Sequence, residues 1–260
     1  MKKGIYFGCV PGESLEDRFK LVKDAGLHGV EIGPLEKPKD RKLYAKLAEK
    51  YGIEIHSIMG GKGWSAPLSH PDPKVRKEGM DNFVLSLETA KAVGATCVLC
   101  VPGIVNEEVT YEQCWERSSA CLKKLAPLAE KMKIPIGVEN VWNKFLLSPI
   151  EFARYVDEIG SPYIQAYYDV GNYVHWSIPQ QWIRTLGKRI KKVHVKGFDA
   201  GQFKWCGLLE GTINWIAVSQ ALKDIGYDDY LTIEIGPYRQ FGEEMVYDES
   251  RHLDRIIAGK

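Results

Sequence analysis

The stretch IPIGVENVWNKFLLSPIEFARYVDEIGSPYIQAYYDV, residues 134–170, decides the fold. It opens on a short apolar run of strand length, IPIGVE (134–139), continues into helical apolar spacing over 148–160, stops at Gly160, and re-enters a strand at YIQAYYDV (163–170). Strand, helix, strand is the unit that joins parallel neighbours in a sheet. Each of the two strands also ends on a carboxylate, Glu139 in GVEN and Asp169 in YYDVGN.

The same alternation runs outward in both directions. Upstream lie GIYFGCV (4–10), GVEIG (29–33), IEIHSI (53–58) and TCVLCV (96–101); downstream lie IKKVHVK (190–196) and YLTIEI (230–235). Helical spacing fills the intervals 14–26, 39–51, 74–93, 110–132, 178–187, 212–225 and 248–258. SLEDRFKLVKDAG (14–26) carries its own punctuation, with Ser14 as cap, Asp17 three residues on and Gly26 as stop; Gly52, Gly94, Gly187 and Gly226 end other helices. Eight strands alternating with eight helices predict a closed (β/α)₈ TIM barrel, a single domain over 1–260. An open doubly wound sheet alternates too, but it usually has fewer strands and often a glycine-rich phosphate turn, and no GxGxxG or GxxxxGK[ST] occurs here. The longest irregular insert, MGGKGWSAPLSHPDP (59–73), suits a loop over the barrel mouth.

Bulk composition narrows the partners. The 260 residues are 45% hydrophobic, enough for one buried core, and 35 Lys+Arg stand against 34 Asp+Glu with no basic run to follow a phosphate backbone. A small molecule is therefore expected, not nucleic acid. No uncharged run reaches the roughly 20 residues that span a bilayer, and MKKGIYFGCV lacks the apolar stretch of a signal peptide, so a cytoplasmic protein without membrane contact is expected. Six cysteines in that setting read as free thiols. Cys97 and Cys100 mimic a CxxC pair, but residues three apart on a strand point to opposite faces and cannot share a zinc ion.

In a barrel, chemistry belongs at the C-terminal strand ends. Strands five to eight end in Glu139, Asp169, His194 (KVHVKG) and Glu234 (TIEIG). Any one of them could be a buried group paired with a nearby cation or tyrosine; four converging on one opening call for a shared partner. Three carboxylates and an imidazole suit one divalent metal, Mn²⁺ first, with Mg²⁺, Co²⁺ or Zn²⁺ as alternatives. Around them, Lys196 projects to the same side as His194 and can meet a substrate oxygen or snorkel to solvent. His56, near the end of strand three, is a candidate for a sugar hydroxyl, the alternative being a satisfied core histidine. Trp64, His175 and Trp176 offer aromatic faces to a sugar, or packing under a loop. Lys62, Lys196 and Lys204 are the candidate phosphate contacts.

With these residues in hand, YYDVGNYVHW, KRIKKVHVKG and LLEGTINW through LTIEIG resemble the xylose isomerase-like TIM barrel superfamily of sugar phosphate isomerases and epimerases, over essentially the whole chain. That group includes ketose 3-epimerases and L-ribulose- or L-xylulose-5-phosphate 3-epimerases. The resemblance implies a metal held by Glu139, Asp169, His194 and Glu234, with Glu139 and Glu234 also the acid–base pair that inverts C3 of a ketose through an enediolate. It implies a sugar or sugar phosphate as substrate and, dimers and tetramers being common in the family, a homo-oligomer. Two positions depart from the free-ketose epimerases: Asn172 stands where they commonly have His, and Ala200 where they have Arg. DVGN is nearer the phosphopentulose epimerases, which keeps Asn172 among the expected substrate contacts. An aldose–ketose isomerase of the hexulose-phosphate type would use the same groups, and a metal-dependent lyase or dehydratase, or a subunit of a sugar-modifying complex, remains open on this barrel. Endonuclease IV shares the superfamily, but its multi-zinc site draws on many histidines and this chain has six, of which only His56, His175 and His194 fall near strand ends.

Overall fold

A computed structural model describes residues 1–260. Eight parallel strands close into a barrel: β1 (Lys2–Tyr6), β2 (Gly29–Ile32), β3 (Glu54–Met59), β4 (Val98–Cys100), β5 (Ile136–Glu139), β6 (Ile164–Asp169), β7 (Ile190–Val195) and, closing onto β1, β10 (Tyr230–Ile233). Helices α1 (Leu15–Asp24), α2 (Pro38–Tyr51), α3 (Pro73–Val93), α4 (Tyr111–Met132), α5 (Pro149–Ile159), α6 (Pro179–Leu186), α7 (Trp215–Asp224) and α8 (Gly242–Ala258) follow the strands in turn. The expected (β/α)₈ barrel is the observed fold.

Local chemistry explains most boundaries. Ser14 and Asp17 form a reciprocal capping box at the start of α1, and Thr110 with Gln113 forms another at α4. Gly52, Gly94 and Gly160 end α2, α3 and α5 in the left-handed conformation that costs glycine least. Alternation along the strands sorts the side chains into two layers. Cys100 joins the large cluster between sheet and helices, whereas Cys97, Leu99, Val101, Val141 and Tyr167 pack together as a separate small cluster. The two cysteines thus fall on opposite faces, and all six are free thiols.

Several boundaries differ from the sequence reading. The first strand stops at Tyr6, where Phe7–Cys9 turns into a 3₁₀ segment that carries the chain off the sheet. The strand expected over 190–196 ends at Val195, and the chain goes on into a two-stranded hairpin of β8 (Gly197–Asp199) and β9 (Lys204–Cys206) above the barrel. The last helix starts at Gly242 instead of 248, and α7 at Trp215 behind its Asn214 cap instead of 212. No helix is long and apolar enough to cross a membrane.

Candidate metal centre and its cavity

Glu139 and Asp169 are the last residues of β5 and β6, His194 lies one residue before the end of β7, and Glu234 follows β10 directly. Parallel register sets Asp169 beside His194, and the Glu234 amide extends the ladder by donating to the Val195 carbonyl at 3.1 Å. The strands therefore deliver one donor atom from each of the four residues into a space in which all lie within 4.8 Å of one another. From His194 Nδ1 the nearest carboxylate oxygens are Glu139 at 3.1 Å, Glu234 at 3.7 Å and Asp169 at 3.9 Å.

A fifth carboxylate fixes the imidazole. Glu31 of β2, fully buried inside the barrel, accepts from His194 Nε2 at 2.8 Å and from the Tyr167 hydroxyl at 2.7 Å. A carboxylate only accepts, so Glu31 keeps the proton on Nε2 and turns Nδ1 toward the other three carboxylates. Asp169 is held equally firmly. Its Oδ1 accepts from the amides of Gly171 and Asn172, both at 2.8 Å, while the Asn140 side chain pairs with both its peptide groups. Its Oδ2 is buried, with the Lys196 ammonium 3.0 Å away as an ion pair. Three convergent carboxylates beside an oriented imidazole nitrogen are a donor set that fits a divalent cation.

The electrostatics follow from burial and crowding. Burial pushes the Glu139 carboxyl up to about 7, aided by Glu234 and Asp169 and opposed by His194. Burial also raises Asp169, against the pull of Lys196. For Glu234 burial is outweighed by His194 and Lys196, and the carboxyl lies below its ordinary value. Burial would lower His194, but Glu31 and Glu234 reverse the balance and raise it well above the usual histidine range. Lys196 likewise is raised despite burial, by Asp169 and Glu234.

The other sequence candidates fare unevenly. Lys196 does reach the centre, but its ammonium bonds Glu234 and pairs with Asp169, with the Trp205 ring 5.1 Å away. Asn172 lines the mouth, yet its side-chain amide is committed to the Asn140 carbonyl at 2.8 Å. Trp64, half exposed, forms part of the cavity wall. His56 is at the wrong end: its ring stacks at 4.0 Å on Tyr230, the first residue of β10, whereas Glu234 follows the last. There it is a buried core histidine, near Lys192 and Thr232, and not a mouth residue. His175 is exposed on the loop after β6, edge-on to Phe203 at 4.5 Å, and does not line the cavity; Trp176 packs beside Trp142. Lys62 is paired with Glu78 at 2.6 Å, and Lys204 is exposed on the hairpin.

The cavity has two lobes that share Tyr6, Lys196, Trp205 and Glu234. The inner lobe, about 350 Å³, is walled by Glu139, Trp142 and Trp64; the outer, about 670 Å³, by Tyr238, Ile235 and Glu210. Tyr6, Trp142, Trp205 and Tyr238 escaped the sequence reading. Tyr6 was legible in principle, as the end of a barrel strand; Trp205 was not, since the hairpin that carries it has no strand-length apolar run.

Comparison with known proteins agrees with this architecture. Residues 19–256 match the family model described as xylose isomerase-like TIM barrel. The L-ribulose-5-phosphate 3-epimerase UlaE of Escherichia coli O157:H7 is 24% identical, the alignment covering 98% of this chain and 93% of that protein. Among solved structures, a D-tagatose 3-epimerase-like protein superposes with a TM-score of 0.87 at 22% identity, over 99% of this chain and 97% of its own. The 3-keto-D-glucoside 4-epimerase YcjR of E. coli does so with a TM-score of 0.85 at 16% identity, over 98% and 99%. The family match spans most of the barrel and all four strand-end donors, and the chain belongs to the xylose isomerase-like TIM barrel family.

Proposed function

We propose that this chain is a divalent-metal-dependent epimerase acting at C3 of a ketose or ketose phosphate, with Glu139 and Glu234 as its acid–base pair. One observation carries the reading: β6 and β7 separate β5 from β10, so the two glutamates flank the Asp169–His194 pair while both open onto the inner lobe. Inversion needs a group on each face of the carbon, because a single base returns the proton to the face it left. A divalent ion held by Glu139, Asp169, His194 and Glu234, Mn²⁺ first by the oxygen-rich donor set, would supply Lewis-acid polarisation of the carbonyl next to C3. The chain does the rest. One glutamate takes the C3 proton, the other delivers a proton to the opposite face, and Lys196 balances charge at Glu234. Relatives point the same way, the UlaE protein being named a 3-epimerase of a ketose phosphate.

The test separates chemistry from metal binding. Glu139→Gln and Glu234→Gln should each lower kcat by at least about 100-fold, the low end of what a positioned acid or base contributes. Calorimetry with Mn²⁺ should still find one site per chain. Unchanged turnover in either metal-loaded variant would remove that glutamate from the acid–base pair.

A further inference from the structure

The outer lobe adjoins the carboxylates and is larger than the inner one, about 670 against 350 Å³. Sites for small ligands span about 300–1,000 Å³, so the inner lobe alone is of a size to take one small sugar. Something further is expected in the outer lobe, and the chemistry of its walls says what. A phosphate needs free cations or open helix N-termini. Lys196 is the only cation lining either lobe, and it is spent on Asp169 and Glu234. Glu210 faces the outer lobe, where a phosphate would meet its carboxylate. Barrels often bind phosphate at the loops after their last two strands, helped by a helix N-terminus. Here the loop after β7 carries Glu210 into the lobe wall, whereas the first turn of α8, which follows β10, lines neither lobe. The Glu210 charge repels an anion.

The apolar surfaces in the same lobe favour a ring. Trp205 forms the boundary between the lobes, braced by Phe198 at 4.8 Å and Trp142 at 4.9 Å between ring centroids. Tyr238 and Ile235 lie among the other outer-lobe residues, and Tyr238 is tied by its hydroxyl to Asp248. Fixed aromatic faces beside polar groups suit the C–H surface and hydroxyls of an uncharged sugar.

We propose that the outer lobe receives the second, uncharged ring of a glycosylated ketose, and that the enzyme prefers such a substrate to a ketose phosphate. This rests on the C3-epimerase reading and narrows its substrate class. Three probes decide it: fructose, fructose 6-phosphate and 6-O-glucosylfructose, which differ only in what O6 carries. Binding to the Mn²⁺-loaded protein is measured by calorimetry, and deuterium uptake at C3 in D₂O by NMR. Glucosylfructose should bind at least tenfold more tightly than fructose 6-phosphate. Tyr238→Ala, at a residue outside the inner lobe, should reduce that advantage fivefold or more while leaving fructose within twofold. Equal or tighter binding of fructose 6-phosphate overturns the proposal, as does an unchanged glucosylfructose affinity in Tyr238→Ala. Deuterium at C3 of the phosphate in that case leaves the epimerase reading standing. No deuterium at C3 of any probe removes both.

Discussion

Glu31 lines neither lobe, yet it sets which nitrogen of His194 faces the carboxylates. Glu31→Ala should therefore weaken Mn²⁺ binding about 10–100-fold, the usual cost of losing such a partner to a ligating histidine. Calorimetry against a circular-dichroism check of folding reads this directly; wild-type affinity in the folded variant would contradict the orienting role. The four strand-end donors were legible because a charged residue closing an apolar strand needs a reason to be there. Glu31 has the same character inside GVEIG, but its strand belongs to the first half of the barrel, away from the four successive donors. His56 shows the limit of such reading. Alternation gives the face of a strand, whereas height in the barrel depends on register, and β3 is bulged against β2 beside His56, where Val30 pairs with Ile55 but Glu31 with Ser57.

Among the elements, the β8–β9 hairpin carries the largest consequence. Gly197 packs so closely that a Cβ there would collide with the Gly207 carbonyl and lie 2.7 Å from that of Cys206. Gly197→Ala must push the hairpin outward, at a cost of about 1–3 kcal/mol for overpacking. Trp205 moves with it. Urea unfolding should report the lost stability and calorimetry a weakened sugar, with Mn²⁺ affinity kept, because the donors sit on barrel strands and not on the hairpin. Loss of the metal together with the sugar would mean that the hairpin supports the centre itself. Strands and helices of the barrel were readable from period and caps alone. The hairpin was not, since GFDAGQFKWC (197–206) has three-residue strands whose pairing follows from the barrel beneath them.

For the molecule as a whole, Glu249 of α8 is a buried carboxyl outside the candidate metal centre. It accepts from the Leu208 amide at 3.2 Å and from His252 at 3.1 Å, and its other oxygen has no partner. Burial raises its folded-state pKa above the unfolded value. Its contribution to stability is then fully present below the unfolded pKa and is lost as pH rises through the folded one. Glu249→Gln keeps an acceptor for Leu208 and removes the charge, so Tm of the variant minus Tm of wild type should grow between about pH 4 and pH 8, spanning the ordinary glutamate value. A flat or shrinking difference would show that the carboxylate is better solvated than its burial implies. The proposed reaction needs two glutamates and a metal at one carbon. The decisive measurement is NMR in D₂O across free, phosphorylated and glycosylated ketoses, on protein loaded with Mn²⁺ and on the same protein stripped by chelator. Deuterium is expected at C3 of one class in the loaded sample and nowhere in the stripped one; deuterium at C1, or exchange that survives removal of the metal, would contradict a metal-dependent C3 epimerase.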